Sequence, residues 1–471
     1  MMTALALLLS AVTAIAQQNL RTAYFLDGYT YKYKMNPALA PERSFISVPL
    51  LGNLSLGLES DLGLSNFLYP KGDELVTFMH PSLSDSQVLD SFKEHNRLNF
   101  NLDETIFAFG FRVGKSFSTI DLSIRADVGA GLPGSIFSFI RKGGSDGNTA
   151  WNFKDVHMRL DSHLELAYGY SRNINNLSLG ARIKVLMGYA RLDANVSDMN
   201  VTMDKNKWSV KAQGDGFMSD FGTLPVDKET GMIDFAGYEL PEDFKGFLSP
   251  LQGKNMGFAM DLGVSWDFLK YFTASLSVND LGFINWNNVT LAQMPSKAWD
   301  FNGFESLTGN EGNIGDEFSA LGEDLLGLFN MKKTEEGVRK SVPVAATIHA
   351  AFEARMPFYE RLSFGLLGTQ KINGAYSWTE GRLSASLAPI NCISLAASYA
   401  VSTYGNSYGG VINFHFPGFN LYAGVDSFKP LMNVTPKYYI PVDDWNTNLA
   451  VGMNISFGKA VGRFHKDKDS K

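Results

Sequence analysis

The chain has 471 residues, 45% hydrophobic and 13% aromatic, enough for one large barrel or roughly two to three ordinary domains. Its net charge of -7 offers no basic stripe to a nucleic-acid partner. A single cysteine, Cys392, excludes an internal disulfide and any cysteine-based metal cluster.

Leu5 to Ile15 form an apolar run that closes on the small-residue site Ala14-Ile15-Ala16, so residues 1–16 read as a secretory signal peptide. No Lys or Arg precedes the run, which points to an upstream start codon. No Cys follows the cleavage site, so a lipid anchor there is not expected. Residues 17–43 are polar and irregular, rich in tyrosine, and contain Asn36-Pro37-Ala38. A first strand follows, with Leu54, Leu56 and Leu58 alternating against Asn53, Ser55 and Gly57. The stretch from Asp61 to Arg97 is too long for a turn, and Val88, Leu89 and Phe92 predict a short helix from Ser86 to Glu94.

From Leu98 onward the chain alternates. Phe107, Phe109, Phe111 and Val113 share one face; after the turn at Gly114-Lys115-Ser116, so do Ile120, Leu122, Ile124, Ala126 and Val128. Asp121, Ser123, Arg125 and Asp127 occupy the other face, as a period-two strand requires. Leu164–Tyr170 and Leu177–Tyr189 form a hairpin across an asparagine-rich turn. Asn200–Met203 and Trp208–Ala212 flank a tight turn, Gly214 to Gly253 reads as an acidic loop, and Met256–Trp266 and Phe272–Asn279 make another hairpin. Asn287 to Ser341 is the longest interruption, with Phe318, Leu321, Leu325, Leu328 and Phe329 at helical spacing on a loop. Strands resume at Val344–Glu353, Leu362–Gly368, Leu383–Ala388, Ser394–Val401, Val411–Phe416, Asn420–Val425 and Asn448–Phe457. The tail, residues 459–471, is charged.

No segment reaches the ~20 consecutive apolar residues of a membrane helix. A membrane protein with this pattern must span as a closed barrel, which leaves no backbone group unpaired in lipid. The expected fold is therefore all-β: a transmembrane antiparallel barrel of about fourteen strands over residues 44–458, with short helices in its loops.

Motifs that carry chemistry elsewhere read as structure here. Gly129-Ala130-Gly131-Leu132-Pro133-Gly134 matches a dinucleotide fingerprint, but Pro133 and the all-β context leave no crossover helix for it. Gly405-Asn406-Ser407-Tyr408-Gly409 matches a nucleophile elbow but is flanked by strands on both sides. His157 and His163, six residues apart on a strand, are about 20 Å from each other, too far to share one metal. No catalytic residue, cofactor or metal site is expected, and the chain does not read as an enzyme.

Several segments, in order, resemble a Bacteroidota family of outer-membrane barrels of unknown function, related to FadL-like transporters and to the PorV and PorP/SprF proteins of type IX secretion. They are Asn36-Pro37-Ala38; Asn96, Phe107–Arg112 and Leu132-Pro133 with Phe137; Asp261–Val264 with Asn279–Trp286; Leu421–Asp426; and Gly452–Gly458. The resemblance implies a monomeric barrel in the outer membrane of a Gram-negative bacterium, in contact with its lipid. It also implies that residues 17–43 form a hatch inside the lumen, with Asn36, Pro37 and Ala38 at its junction with the wall. The first function implied is passive transport of small hydrophobic compounds, with Tyr24, Phe25 and Tyr29 near the ligand path. A water-exposed lumen does not favour oily ligands, so this function requires an apolar pocket near the rim or hatch. The alternative is a scaffold of the PorV/PorP kind that holds a secreted or surface protein; it requires a plugged lumen and exposed apolar residues on 61–97 or 287–341.

Overall fold

Alternation with one oily and one polar face has a single closed solution in lipid, and the chain adopts it. The computed structural model describes residues 19–461 apart from 144–149, 220–225, 234–252, 296–298, 302–330, 429–432 and 440–445 and positions 50, 73, 205–206, 228 and 436–437. Fourteen antiparallel strands close into one barrel. They are β1 (Ser44–Ser47 and Leu54–Ser60), β2 (His95–Val113), β3 (Ser116–Pro133), β4 (Val156–Ile174) and β5 (Leu177–Asp204). Next come β6 (Met256–Phe268), β7 (Phe272–Gln293), β8 (Lys332–Pro343 and Ala346–Met356), β9 (Tyr359–Ile372) and β10 (Trp378–Ile390). β11 (Ile393–Ser402), β12 (Gly405–Phe416), β13 (Phe419–Phe428) and β14 (Thr447–Phe457) complete the ring. Closure joins β1 to β14, with Ser44 opposite Phe457 and Leu54 opposite Val451.

Both ends of the barrel wall lie on the side of the short turns, such as Gly114-Lys115 and Asn175-Asn176, where Asn175 takes a φ of 56°. Short turns mark the periplasmic side of bacterial barrels and long loops the outer side. Alternation sorts the side chains as expected: Ile120, Leu166, Leu262 and Leu383 face outward, while Asp121, Glu165, Asp261 and Arg382 are fully buried inside. Near the short-turn end Trp266, Phe268, Phe272 and Phe352 form an aromatic band, with ring centroids 4.9 Å apart at the first pair and 5.8 Å at the last.

Several elements differ from the sequence expectation. The helix covers only Asp85–Leu89, capped by the Ser84 hydroxyl accepting from Gln87 N at 3.2 Å. It stops short of Glu94 because the Asn96 side chain bonds both Lys93 N and Lys93 O, fixing a turn before β2. Secondly, β1 is split: Ser47 and Leu54 end its two ladder segments, and between them the chain is tied by Met453 N to Leu51 O (2.8 Å) and Thr105 N to Asn53 O (3.0 Å). Thirdly, the interruption at 287–341 is much shorter, since β7 runs on to Gln293 and β8 returns at Lys332. β5 alone has 28 residues, against the roughly 9–11 that cross a bilayer, so this part of the sheet rises far beyond the lipid. There the lipid-out rule no longer applies and alternation fades. A further strand, Lys207–Ser219, pairs with β5 and β7 and supplies the missing backbone partners, so Gly214–Ser219, expected as the start of an acidic loop, is strand instead.

On the loop side an apolar cap seals part of the rim. Phe67, Phe78, Val88, Phe137, Phe139 and Phe153 are buried together, and Phe92 stacks on Phe137 at 4.0 Å. The glycine-rich match feeds the helix Gly134–Lys142 of this cap, and Ser407 sits in the inner wall of β12. The loop residues 318–329, residues 1–16 and most of the charged tail lie outside the described residues.

Candidate functional site

Residues 19–43 fold into the lumen on its short-turn side and fill it. The sequence dictates a compact, irregular path. Asp27-Gly28 turns with Gly28 at a φ of 75°, and two short 3-10 turns cover Arg21–Ala23 and Thr30–Lys34. Asn36 precedes proline, which disfavours helical backbone; its side-chain oxygen accepts from Ala38 N at 3.0 Å. Its amide donates to the Tyr24 hydroxyl (3.1 Å), which bonds Ser275 Oγ on β7 at 2.9 Å.

A segment without regular structure has backbone groups to satisfy, and buried ones must find partners. The inner wall supplies them. Asp426 on β13 accepts from Arg21 N at 2.5 Å and Thr22 N at 2.7 Å. Ser277 and Asn279 on β7 both donate to Met35 O at 2.7 Å. Asn420 donates to Gly28 O at 2.9 Å, and Ser394 to Asp27 O at 2.6 Å. The Lys34 ammonium donates to Asp103 (3.2 Å), Thr105 (2.6 Å) and Ser123 (3.0 Å), which uses all its protons. The polar inner face that reads as water-facing in the sequence therefore serves, over this stretch, the backbone of the plug.

Glycines in the wall hold the plug at close range. A Cβ on Gly180 would lie 2.2 Å from the Pro37 carbonyl carbon, one on Gly263 2.1 Å from Asn36 Oδ1, and one on Gly365 2.2 Å from the Phe25 ring. Tyr29 packs edge-on against Tyr422 at 4.9 Å within an aromatic layer that includes Tyr31, Tyr33 and Phe45.

Beside the plug lies an ion-pair belt. Arg182 bridges Asp121 and Asp261, each at 2.8 Å; Lys184 meets Asp261 at 2.8 Å; Arg125 meets Asp280 at 2.9 Å and Glu165 at 3.1 Å. A second group ties the start of the plug: Arg21 to Glu380 at 3.0 Å, and Arg382 to Glu380 at 2.8 Å and Asp426 at 3.6 Å. Fully buried pairs of this kind hold only when every charge is matched, and removing one partner is costly.

On the loop side of the plug a cavity of about 90 Å³, open to solvent, remains. Asn19, Arg21 and Lys34 of the plug form part of its lining. Its basic residues, Arg21, Lys34, Arg125, Arg159 and Lys371, outnumber the acidic ones, Asp127, Asp161 and Asp280. Across the lumen the turn Gly374–Tyr376 reaches from β9 to β3 and β4. Tyr376 lies where a Cβ on Gly129 would be 2.4 Å from its ring, and Asn373 receives hydrogen bonds from Arg159.

The structure thus gathers Asn36, Pro37 and Ala38 at the plug–wall contact on β5 and β6. Tyr24, Phe25 and Tyr29 are buried against other parts of the wall, at Ser275 on β7, Gly365 on β9 and Tyr422 on β13, and none of them lines the cavity. The anchors Lys34, Asp103 and Asp426 escaped sequence reasoning as site residues. Asp103 and Asp426 carried a signal all the same: each is an acid on the inward phase of an alternating strand.

The family model for the family of unknown function DUF5723 matches residues 37–426. Among solved structures, the toluene transporter TbuX of Ralstonia pickettii is similar at 8% identity, covering 94% of this chain and 97% of that one with a TM-score of 0.45. A FadL homologue of Pseudomonas aeruginosa is similar at 9% identity over 94% of this chain and 100% of that one, TM-score 0.41. The translocator domain of the autotransporter NalP from Neisseria meningitidis is similar at 7% identity over 88% of each chain, TM-score 0.32. No curated protein matches.

Proposed function

The chain belongs to DUF5723, a family of unknown function, and we propose that it is a plug-gated passive channel of a Gram-negative outer membrane. The observation that carries the reading is the plug itself. It occupies the lumen and, beyond its continuation into β1, is held by hydrogen bonds, ion pairs and glycine dents, and it borders a solvent-connected cavity. Displacing residues 19–43 would join that cavity to the short-turn side, with Asn36, Pro37 and Ala38 as the junction that yields. The hydrophobic-solute version of this reading draws on the aromatic layer around Tyr24, Phe25 and Tyr29, which a moving plug would uncover. The cavity gives it no support: its lining is mainly charged and polar, not the apolar pocket that version needs.

The scaffold reading draws on the filled lumen. Its second requirement is not met along 61–97, where Leu62, Phe67, Phe78, Leu83 and Val88 are buried in the cap instead of being presented to a partner.

Swelling of proteoliposomes in solutes of graded size tests the channel. Flux that rises when the plug is loosened by Asp426→Asn supports it. No flux through either the native or the loosened protein, both folded, would leave a scaffold.

A further inference from the structure

We infer that the cavity beside the plug is a binding site for small hydrophilic organic anions that carry hydroxyl groups, of the sugar-acid class. The inference rests on the channel reading for its biological sense, but not for its geometry. Pockets that take small ligands place a few polar groups around a concave space. This cavity is lined by such groups, some with unused hydrogen-bonding capacity. Trp378 is 4% exposed and lines it, yet its indole N–H, which can only donate, has no partner among the described residues. Arg159, also in the lining, keeps its Nε–H unpartnered. Its nearest acid is Asp127 at 4.0 Å, a carboxylate already bonded by Lys371 at 2.9 Å.

Arg159, Lys371 and Trp378 therefore converge around Asp127, with Asp161 in the field of Arg159 and Glu59 in that of Lys371. Lys371 stands directly opposite Trp378 on the β9–β10 ladder, and Arg21 lies over the indole face at 4.8 Å. Arg159 is held in place by Asn373 at the base of the inward turn. Buried donors without acceptors cost free energy, and an anionic oxygen is the acceptor that answers an indole N–H and a guanidinium together. The same wall leaves acceptors unused: Asp127 Oδ1 and Asn279 Oδ1 have no hydrogen-bond partner among the described residues. Those oxygens match hydroxyl donors on the ligand. A hydrocarbon would satisfy neither set, and an inorganic anion would leave the acceptors empty.

The test is equilibrium binding to the full chain in detergent, by calorimetry, with D-galacturonate as probe and D-galactose and toluene as controls. Galacturonate should bind, galactose at least tenfold more weakly, and toluene not at this site. Arg159→Gln should weaken galacturonate at least tenfold, and Trp378→Phe, which keeps the ring and removes the donor, by a few-fold. Equal binding of galacturonate and galactose, no binding of galacturonate, or full affinity in Trp378→Phe overturns the inference. Because binding is read without transport, galacturonate bound but not passed would refute the channel and leave the site. Flux of all solutes without preferential binding would do the reverse.

Discussion

Asp426→Asn should open the lumen. The Asp426 carboxylate is fully buried and accepts the backbone N–H groups of Arg21 and Thr22 at 2.5 and 2.7 Å, with Arg382 at 3.6 Å. An asparagine of the same shape has one oxygen and one NH₂. One plug N–H then keeps its acceptor, while the other meets a donor and is left buried without a partner. Losing a hydrogen bond to a charged group costs about 1.5–3 kcal/mol, and the stranded donor adds a share of about 1–3 kcal/mol. A combined loss of about 3 kcal/mol, felt only while the plug is seated, raises the displaced population about 150-fold. Wall strands keep their ladder, since Asp426 contributes only its side chain to this contact. Single-channel recording in planar bilayers reads the open probability directly, and the heat-modified mobility of the barrel on gels verifies folding. An unchanged open probability in a folded Asp426→Asn barrel would refute the argument that these bonds hold the plug.

Gly180→Ala should push Pro37 away, since the new methyl would stand 2.2 Å from its carbonyl carbon; faster amide exchange over residues 30–40, with the wall unchanged, is the expected reading. Asn36→Ala removes the bonds to Ala38 N and the Tyr24 hydroxyl and should destabilise the plug by about 1–3 kcal/mol, visible as a lower melting temperature in detergent. Arg141→Ala should loosen the cap, because Arg141 bonds Asp85 and the carbonyls of Phe78, His80 and Leu83; the sign is new proteolysis between residues 78 and 92 with the barrel core intact. Leu262→Arg puts a charge on the lipid face of β6 and should cost about 2–4 kcal/mol in the folding equilibrium into vesicles, whereas no change would place that face away from lipid.

The wall was legible because lipid imposes a rule on every residue pair that crosses it. Phe107, Phe109 and Phe111 face outward and Asp121, Ser123 and Arg125 inward, as alternation alone requires. Where that constraint ends, so did legibility. The outer halves of β5, β7 and β8 stand beyond the bilayer, and residues 332–343 are largely exposed with no oily phase to read. The expectation of a hatch over 17–43, with Asn36, Pro37 and Ala38 at the wall junction, came from a resemblance rather than from spacing, and nothing in that stretch announces that Lys34 meets Asp103, 69 residues away. The same limit hid the cavity. Trp378 and Arg159 lie on strands far apart in the chain, and only the closed ring brings β4 opposite β9 and β10.

The wall residues that hold the plug come from across the whole ring: Asp103 on β2, Ser277 on β7, Asp426 on β13, and Asn454 on β14, which donates to Thr30 Oγ1 at 3.1 Å. The plug precedes every wall strand in the sequence, yet it is among the last parts to find its place, because its seat does not exist until the final strand has been laid beside β1. An incomplete barrel would present a row of charges and amides with nothing to bind. Seating of the plug is therefore a built-in report that closure has occurred, and a truncated chain lacking β13 and β14 would carry its N-terminal segment loose, open to protease from the short-turn side.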